Sequence, residues 1–223
     1  PDSLNPSGVV IINGLLASQI DIVGEGTQTI DPAKTVHRLL TLDLPRNGYR
    51  TDTLNLFSVI NLGTAEASDV DSMTLYRDNG DGAWSGGSSE IGLANMVFTG
   101  QRWVASGLRE PLTGVTNRYH VAVVLGDYPV NGATFSLGIP LNGIDMASQN
   151  DGPIDATVPP ADTIAIVAYD AVTVRAADID APTLRPGQLS APVAGFSLTN
   201  TYGHVVAVDG ITCRLLATDA ESA

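Results

Sequence analysis

The feature that most constrains this chain is the alternation of short β-type runs with clusters of turn-forming residues along its whole length. Runs rich in Val, Ile, Leu, Thr and Tyr alternate with polar residues, and Gly, Pro, Asn and Asp separate them. The i, i+3, i+4, i+7 spacing of an amphipathic helix is nearly absent. Many short strands without intervening helices favour antiparallel sandwiches over a parallel α/β sheet. The sequence therefore predicts an all-β protein.

The strand-like segments are spread over the whole chain. They cover residues 9–12, 19–23, 36–44, 53–61, 72–76, 102–105, 119–125, 134–140, 163–168, 172–176, 193–200, 205–208 and 211–217, with 91–98 as an additional candidate. Segment 57–61 (FSVIN) is echoed by 196–200 (FSLTN). This similarity indicates a weak duplication, although generic strands also share such patterns by chance. We expect an N-terminal extension at 1–30 and two tandem immunoglobulin-like antiparallel β-sandwich modules, at 31–150 and, shorter, at 151–223.

Composition and charge narrow the class of partner. The chain has 223 residues, 24 acidic against 11 basic side chains, and a formal net charge of -13. Because nucleic acids and anionic membranes bind basic patches, neither is an expected partner. No segment reaches the roughly 20 apolar residues of a membrane-spanning helix, and the lone cysteine, Cys213, excludes an intrachain disulfide. Since the sequence begins at Pro1 without a methionine, we expect a removed signal peptide and an extracellular or cell-surface location.

An apolar segment near the start has no evident hairpin mate. Its four consecutive β-branched residues are Val9, Val10, Ile11 and Ile12. The second module, by contrast, contains too few strands to close a sandwich, and proteins normally cover or pair such an open edge. The N-terminal segment can supply the missing strand by β-augmentation, either within its own chain or in a neighbouring subunit. Pairing with the next copy gives a head-to-tail contact and therefore a filament.

One loop carries a cluster of oxygen-bearing side chains. The candidate Ca²⁺ ligands are Asp78, Asn79, Asp81 and Glu90. Gly80 and Gly82 permit the tight backbone that Ca²⁺ coordination favours. The match to an EF-hand loop fails, because Arg77 and Ser88 occupy its first and twelfth positions. A turn between two strands also selects Asn-Gly and Asp-Gly for conformational reasons, so a structural turn and a Ca²⁺ site both remain open.

Two segments of the first module resemble a known family. Residues 56–64 (LFSVINLGT), followed by small residues and then by 75–78 (LYRD), give a core strand, an Asn-x-Gly turn, a Leu-Tyr strand and an acidic turn. This combination is similar to the cell-adhesion-related (CARDB-like) immunoglobulin-like surface domains of bacteria and archaea, over about residues 39–141. The second module departs from it, since Thr201 and Tyr202 follow Asn200. The resemblance implies an extracellular fold used in adhesion or cell-surface architecture, without catalytic residues.

Signals for catalysis are missing from the sequence. His37, His120 and His204 are isolated, and isolated strand histidines are usually packing or surface residues. No nucleophile elbow or phosphate-binding glycine loop occurs, so we do not expect an enzyme. Trp84 and Trp103 can stack on a sugar, but Trp103 lies in a predicted strand and is expected in the core, and Trp84 is expected to pack beneath its loop.

Two functions are consistent with these patterns. The first is a structural subunit of a pilus-like extracellular filament or cell-surface assembly, a homopolymer joined by strand exchange through residues 9–12. The second is a monomeric calcium- or carbohydrate-binding adhesion module of a larger surface protein, with a host or cell-surface ligand. No cofactor other than Ca²⁺ is expected. Loss of assembly on deletion of the N-terminal segment favours the first, and tight ligand binding by a monomer favours the second.

Overall fold

A computed structural model describes residues 14–24, 28–33, 35–46, 51–114, 116–168, 172–177, 187, 195–200 and 208–212. The predicted strand formed by Val9, Val10, Ile11 and Ile12 lies outside these residues, as do His204 and Cys213. The described residues form strands and two short 3₁₀ turns, at Ala17–Gln19 and Ala67–Asp69, and contain no α-helix.

Fifteen strands are present in the part of the chain that the structure describes. They are β1 (Asp21–Val23), β2 (Gln28–Ile30), β3 (His37–Pro45), β4 (Asp52–Asn61), β5 (Val70–Arg77), β6 (Ile91–Asn95), β7 (Val97–Thr99), β8 (Arg102–Leu112), β9 (Thr116–Leu125), β10 (Thr134–Phe135), β11 (Leu137–Gly138), β12 (Ile144–Met146), β13 (Ile164–Ile166), β14 (Val172–Ala177) and β15 (Gly195–Asn200).

Two five-stranded sheets dominate the structure. One has the strand order β1-β3-β9-β5-β6, and the other has the order β11-β4-β8-β7 with β12 also pairing with β4. A three-stranded sheet, β10-β13-β2, contains a parallel pair, β13 with β2. The remaining strand pairs of the described residues are antiparallel. Strands β14 and β15 form a separate two-stranded ribbon.

A single hydrophobic cluster draws on both large sheets. Leu42 of β3 and Val121 of β9 are fully buried, and so are Leu75 of β5, Phe57 of β4 and Ala105 of β8. Alternation places every second side chain of a strand on the same face, so each sheet presents one apolar face to this cluster. The arrangement is a β-sandwich-like core.

The prediction of an all-β protein built mainly from antiparallel sheets is confirmed. The strand predicted at 102–105 is longer than expected, since β8 continues to Leu112 through Gly107 and Arg109, which have φ angles of 69° and 54°. These left-handed residues interrupt the period-two pattern from which strands are recognised. The short strands β2 and β12 were not predicted. Two immunoglobulin-like modules remain a prediction.

The chain divides into two compact units, Pro1–Tyr169 and Asp170–Ala223. The first unit contains β1 to β13 and the hydrophobic cluster, so that Ile164 and Ile166 belong to its core. The second contains β14 and β15. The predicted module boundary at 150/151 therefore lies earlier in the chain than this division. No helix among the described residues has the length and apolar character needed to cross a membrane.

Candidate functional site

The loop at 78–90 connects β5 to β6 and has an acidic residue at each end. Arg77 of β5 is the cross-strand partner of Ile91 of β6. Asp78 follows Arg77 directly and Glu90 precedes Ile91, so the hairpin brings the two carboxylates together at the base of the loop. The backbone N–H of Asp78 donates to the carbonyl of Arg118 at 3.1 Å, which anchors this base to β9.

The alternation of β9 determines where His120 points. Its chain neighbours Tyr119 and Val121 belong to the hydrophobic cluster, and successive strand side chains alternate between faces. His120 therefore lies on the opposite face of the sheet, where its cross-strand partners are Thr41 of β3 and Tyr76 of β5. This face is the one that the loop at 78–90 covers, because the Trp84 ring packs against both Tyr76 and His120, with centroid separations of 5.4 Å.

Asp78, Glu90 and His120 converge beneath the loop. One potential ligand atom from each lies within 4.8 Å of the others. Nε2 of His120 is 3.5 Å from Oδ1 of Asp78, and the two side chains are 0% and 10% exposed. Neither of these two atoms forms a hydrogen bond with any residue that the structure describes. A buried pair of polar atoms without hydrogen bonds is costly, so a partner or ligand is expected there.

The second ring nitrogen of His120 does have a partner. Nδ1 lies 3.0 Å from the hydroxyl oxygen of the buried Thr41. This contact fixes the plane of the imidazole and aims Nε2 at Asp78. Burial lowers the pKa of His120 from its usual value, and the neighbouring Asp78 opposes that effect. A lowered pKa favours the neutral imidazole, which has a lone pair on one nitrogen.

Glu90 holds the loop in place through two backbone hydrogen bonds. Its Oε2 accepts from the N–H of Asn79 and its Oε1 from the N–H of Ser85, both at 2.9 Å. The two bonds join Glu90 to two other parts of the loop, so this buried carboxylate stabilises the loop backbone. Because a carboxylate oxygen carries two lone pairs, both oxygens retain a lone pair for a further ligand.

Asp78 divides its two oxygens between two tasks. Oδ2 accepts hydrogen bonds from the N–H groups of Gly80 and Gly82, at 2.8 and 3.2 Å. Both glycines have positive φ angles, 107° and 77°, as the tight turn requires. Oδ1 is left facing His120.

The four predicted Ca²⁺ ligands separate into two groups. Asp78 and Glu90 come together beneath the loop, whereas Asn79 and Asp81 are exposed. Oδ1 of Asn79 accepts from the N–H of Asp81 at 3.0 Å, and Oδ1 of Asp81 accepts from the N–H of Ala83 at 2.9 Å. These two side chains thus serve the turn itself. His120 was not among the predicted ligands, and its only signal in the sequence was that it is the one polar residue of the predicted strand at 119–125.

A second region of interest is the ribbon of β14 and β15. Val174 pairs with Leu198 and Ala176 with Phe196, so these four side chains lie on one face, while Thr173 pairs with Thr199 on the other face. The apolar face is exposed: Val174 is 64%, Phe196 41% and Leu198 39% accessible. The ribbon is therefore amphipathic, with an apolar face open to solvent in the described chain.

The aromatic residues do not form one surface. Trp103 is buried in the core, as predicted, and so is Tyr119. Phe98 of β7 is exposed and packs against Trp103 with ring centroids 5.1 Å apart. It lines an open groove of about 820 Å³ together with Leu62 and Leu141.

Comparison of the sequence with protein-family models and with curated proteins finds no match to either. The class of protein is therefore defined by the fold: an all-β protein with a sandwich-like core. Its distinguishing features are a buried histidine and carboxylate cluster in the first unit and an exposed apolar ribbon in the second.

Proposed function

We propose that this chain is a structural subunit of an extracellular filament or cell-surface assembly and that its subunits join by strand addition. The donor is the segment of Val9, Val10, Ile11 and Ile12, and the acceptor is the β14–β15 ribbon of the next copy. The observation that carries the proposal is the solvent-exposed apolar face of that ribbon, formed by Val174, Ala176, Phe196 and Leu198.

The physical reason is the instability of a two-stranded ribbon. Two strands alone are marginally stable in water, whereas three strands with an apolar face form a stable sheet. Each strand of the ribbon has one edge that is not paired with another described strand. A donor strand satisfies backbone groups along that edge, and its alternate side chains, Val9 and Ile11 or Val10 and Ile12, extend the apolar face.

The geometry of such a contact leads to a polymer. Donor and acceptor are different segments of the same chain, so each copy can give a strand through residues 9–12 and receive one at its ribbon. The resemblance of residues 56–64 and 75–78 to immunoglobulin-like adhesion domains supports an extracellular setting. The formal net charge of -13 keeps unassembled copies apart.

Three single substitutions test the proposal on the full chain. Ile11→Asp places a charge in the donor, and Leu198→Asp places one on the apolar face of the acceptor. Thr199→Asp is the matched control, because the neighbouring residue of β15 faces the opposite side of the ribbon. We expect sedimentation and electron microscopy to show assemblies for wild type and Thr199→Asp, and monomers for the other two. Assemblies formed by Ile11→Asp would refute the proposed donor.

A mixing experiment distinguishes exchange between chains from pairing within one chain. A chain without residues 1–13 keeps the acceptor, and Leu198→Asp keeps the donor. If strands pass between copies, an equimolar mixture forms a heterodimer and stops, because each component lacks one half of the contact. A wild-type chain that stays monomeric while this mixture forms a heterodimer would show that the segment normally pairs within its own chain, and the filament proposal would then fail.

The competing proposal is a monomeric carbohydrate-binding module, and the groove beside β7 favours it. Phe98 offers an exposed ring to a sugar, with Leu62 and Leu141 along the same groove. Glycan binding by a chain that stays monomeric at high concentration, and its loss in Phe98→Ala, would support this module over the filament. If Leu141→Asp lost assembly and Leu198→Asp kept it, the result would indicate that the donor strand binds this groove and not the ribbon.

A further inference from the structure

We propose that Asp78, Glu90 and His120 form a binding site for a divalent transition-metal ion of the Zn²⁺ type. This site goes beyond strand-mediated assembly and is independent of it, because none of the three residues belongs to the donor segment 9–12 or to the β14–β15 ribbon. The observation that carries the proposal is the pair of buried polar atoms, Nε2 of His120 and Oδ1 of Asp78, that have no hydrogen bond among the described residues and face each other.

The spacing of these atoms matches metal coordination better than a hydrogen bond. Oδ1 of Asp78 and Nε2 of His120 are 3.5 Å apart, which is longer than the usual N–H···O distance. Nitrogen and oxygen ligands at about 2.0–2.1 Å around a tetrahedral Zn²⁺ lie about 3.3–3.4 Å from one another. An oxygen of Glu90 falls within the same 4.8 Å group. One ion can contact all three side chains after the Glu90 carboxylate shifts by about 1 Å.

The ligand chemistry selects the class of ion. A neutral imidazole nitrogen with two carboxylates is a typical ligand set for Zn²⁺ and related transition metals. Ca²⁺ takes six to eight oxygen ligands and Mg²⁺ an octahedral set of oxygens, whereas this cluster offers a nitrogen and few oxygens. The two carboxylates also balance the charge of a divalent ion. Three protein ligands leave a fourth coordination position for water.

The surroundings hold the three ligands in position. Thr41 bonds Nδ1 of His120, which corresponds to the outer hydrogen bond that orients metal-binding histidines. Backbone N–H groups fix both oxygens of Glu90 and the Oδ2 of Asp78. The indole ring of Trp84 packs against the His120 imidazole and restricts access of solvent. The donor atoms are thus arranged before any ion arrives.

The test uses the untagged full-length chain after treatment with a chelator. We expect isothermal titration calorimetry to show one Zn²⁺ bound per chain, and the fluorescence of Trp84 to change on binding because its ring contacts the ligand His120. Co²⁺ in the same site should give visible absorption bands of nitrogen and oxygen coordination. Mg²⁺ and Ca²⁺ in about hundredfold excess should not displace Zn²⁺, since neither favours imidazole.

Substitutions assign the binding to these residues. Asp78→Asn and His120→Gln should weaken Zn²⁺ binding at least tenfold, as expected when one ligand of three is removed. His37→Gln is the matched control: His37 also lies beside an aspartate, Asp31, at 3.7 Å, but its Nε2 already contacts the carbonyl oxygen of that residue. This variant should bind Zn²⁺ as wild type does.

Each outcome decides the proposal. Asp78→Asn keeps an oxygen for the loop N–H groups, so it should fold even if His120→Gln does not, and circular dichroism checks this. Wild-type chain that takes up no Zn²⁺ would overturn the proposal. So would Zn²⁺ binding that Asp78→Asn leaves unchanged, or Ca²⁺ binding as tight as that of Zn²⁺.

Discussion

Strand β5 has an aspartate at each end, and the two aspartates are used differently. Asp69 precedes the strand, and its two oxygens accept the backbone N–H groups of Glu66 and Val130, each at 2.8 Å. Asp78 follows the strand, and only its Oδ2 serves the backbone, while Oδ1 faces His120. Both carboxylates are largely shielded from solvent. The difference lies in hydrogen bonding and not in burial.

A structural carboxylate differs from one that can bind a ligand in how many of its oxygens already accept hydrogen bonds from the chain. The hydrogen bonds of Asp69 come from backbone N–H groups, which can only donate. Both of its oxygens are therefore satisfied by the chain itself. At Asp78 one oxygen completes the loop and the other is left for a partner. Residue type, burial and position along β5 are similar at both ends, and only the complete account of donors and acceptors distinguishes them.

The largest predicted effect is that of Asp69→Ala. It leaves the N–H groups of Glu66 and Val130 without their acceptor and releases the loop at Val130 from the start of β5. We expect the free energy of unfolding to fall by about 2–3 kcal/mol, because buried donors lose charge-assisted bonds. Urea denaturation measures the change. Asp71→Ala, at an exposed position of the same strand, should change stability by less than about 0.5 kcal/mol, and equal losses would show that the hydrogen bonds of Asp69 are unimportant.

The substitution of aspartate by asparagine should have opposite signs at the two ends of β5. At Asp69 an amide NH₂ meets a backbone N–H, so Asp69→Asn should cost about 1–2 kcal/mol. At Asp78 the amide oxygen can accept from Gly80 and Gly82 while the NH₂ donates to His120, so Asp78→Asn should be neutral or stabilising by up to about 1 kcal/mol in metal-free protein. Thermal unfolding in the presence of a chelator compares the two. Destabilisation of the same size at both positions would show that the hydrogen bonding of Asp69 and of Asp78 does not differ in the way described.

An effect similar in size to that of Asp69→Asn is expected from opening the cover over Asp78 and His120. The Trp84 ring is half-buried and contacts the rings of Tyr76 and His120. Trp84→Ala should cost about 1–2 kcal/mol, less than a fully buried tryptophan, because part of the ring is already exposed and entering water can bond the two unpaired atoms. Trp84→Phe retains a ring and should lose about half as much. A loss above about 3 kcal/mol would indicate that the cover is part of the core.

The sequence predicted the fold class because strands leave a local signal. Segments 36–44, 53–61 and 119–125 are rich in Val, Ile, Leu, Thr and Tyr and correspond to β3, β4 and β9. Pairing leaves no such signal: β5 bonds β9 across more than forty residues, and the order β1-β3-β9-β5-β6 depends on these distant contacts. The sequence therefore indicates where strands lie but not which strands pair.

For the same reason, the sequence predicted two of the three residues of the candidate site. Asp78 and Glu90 lie in one loop, where closely spaced oxygens and glycines draw attention to both. His120 joins them only through the register of β9 with β5, in which it is paired with Tyr76. An isolated histidine in a predicted strand matches no motif. His120 can be recognised as a candidate ligand only once the register of β9 with β5 is known. The oxygen count alone favoured Ca²⁺, whereas the imidazole favours Zn²⁺.

The smallest predicted effect concerns Asp155, a carboxylate that is hydrogen-bonded but exposed. Its Oδ1 accepts the N–H of Ala17 at 2.7 Å, and this bond lowers the pKa of Asp155 from its usual value. A lowered folded-state pKa gives stability that is present above about pH 4 and is lost as pH falls through the folded value. Wild type should therefore unfold at a slightly higher temperature than Asp155→Asn at pH 7, and the two midpoints should converge at lower pH.

The donor can be removed independently of the acid. Ala17 begins a 3₁₀ turn and Leu16 before it is extended, with φ of -84° and ψ of 152°, so proline fits at position 17 without its N–H. In an Ala17→Pro background the difference between Asp155 and asparagine at pH 7 should become smaller, because only the backbone bonds from Asp155 and Ala156 then remain to lower the pKa of Asp155. If the loss of Asp155 instead lowered stability as much as the loss of Asp69, a hydrogen bond to the backbone would be sufficient for a large effect even at an exposed carboxylate. If its effect is as small as expected, both burial and a satisfied hydrogen bond are needed for a large effect. Asp78, largely buried with one oxygen satisfied, is then better placed to bind a ligand than Asp69 or Asp155.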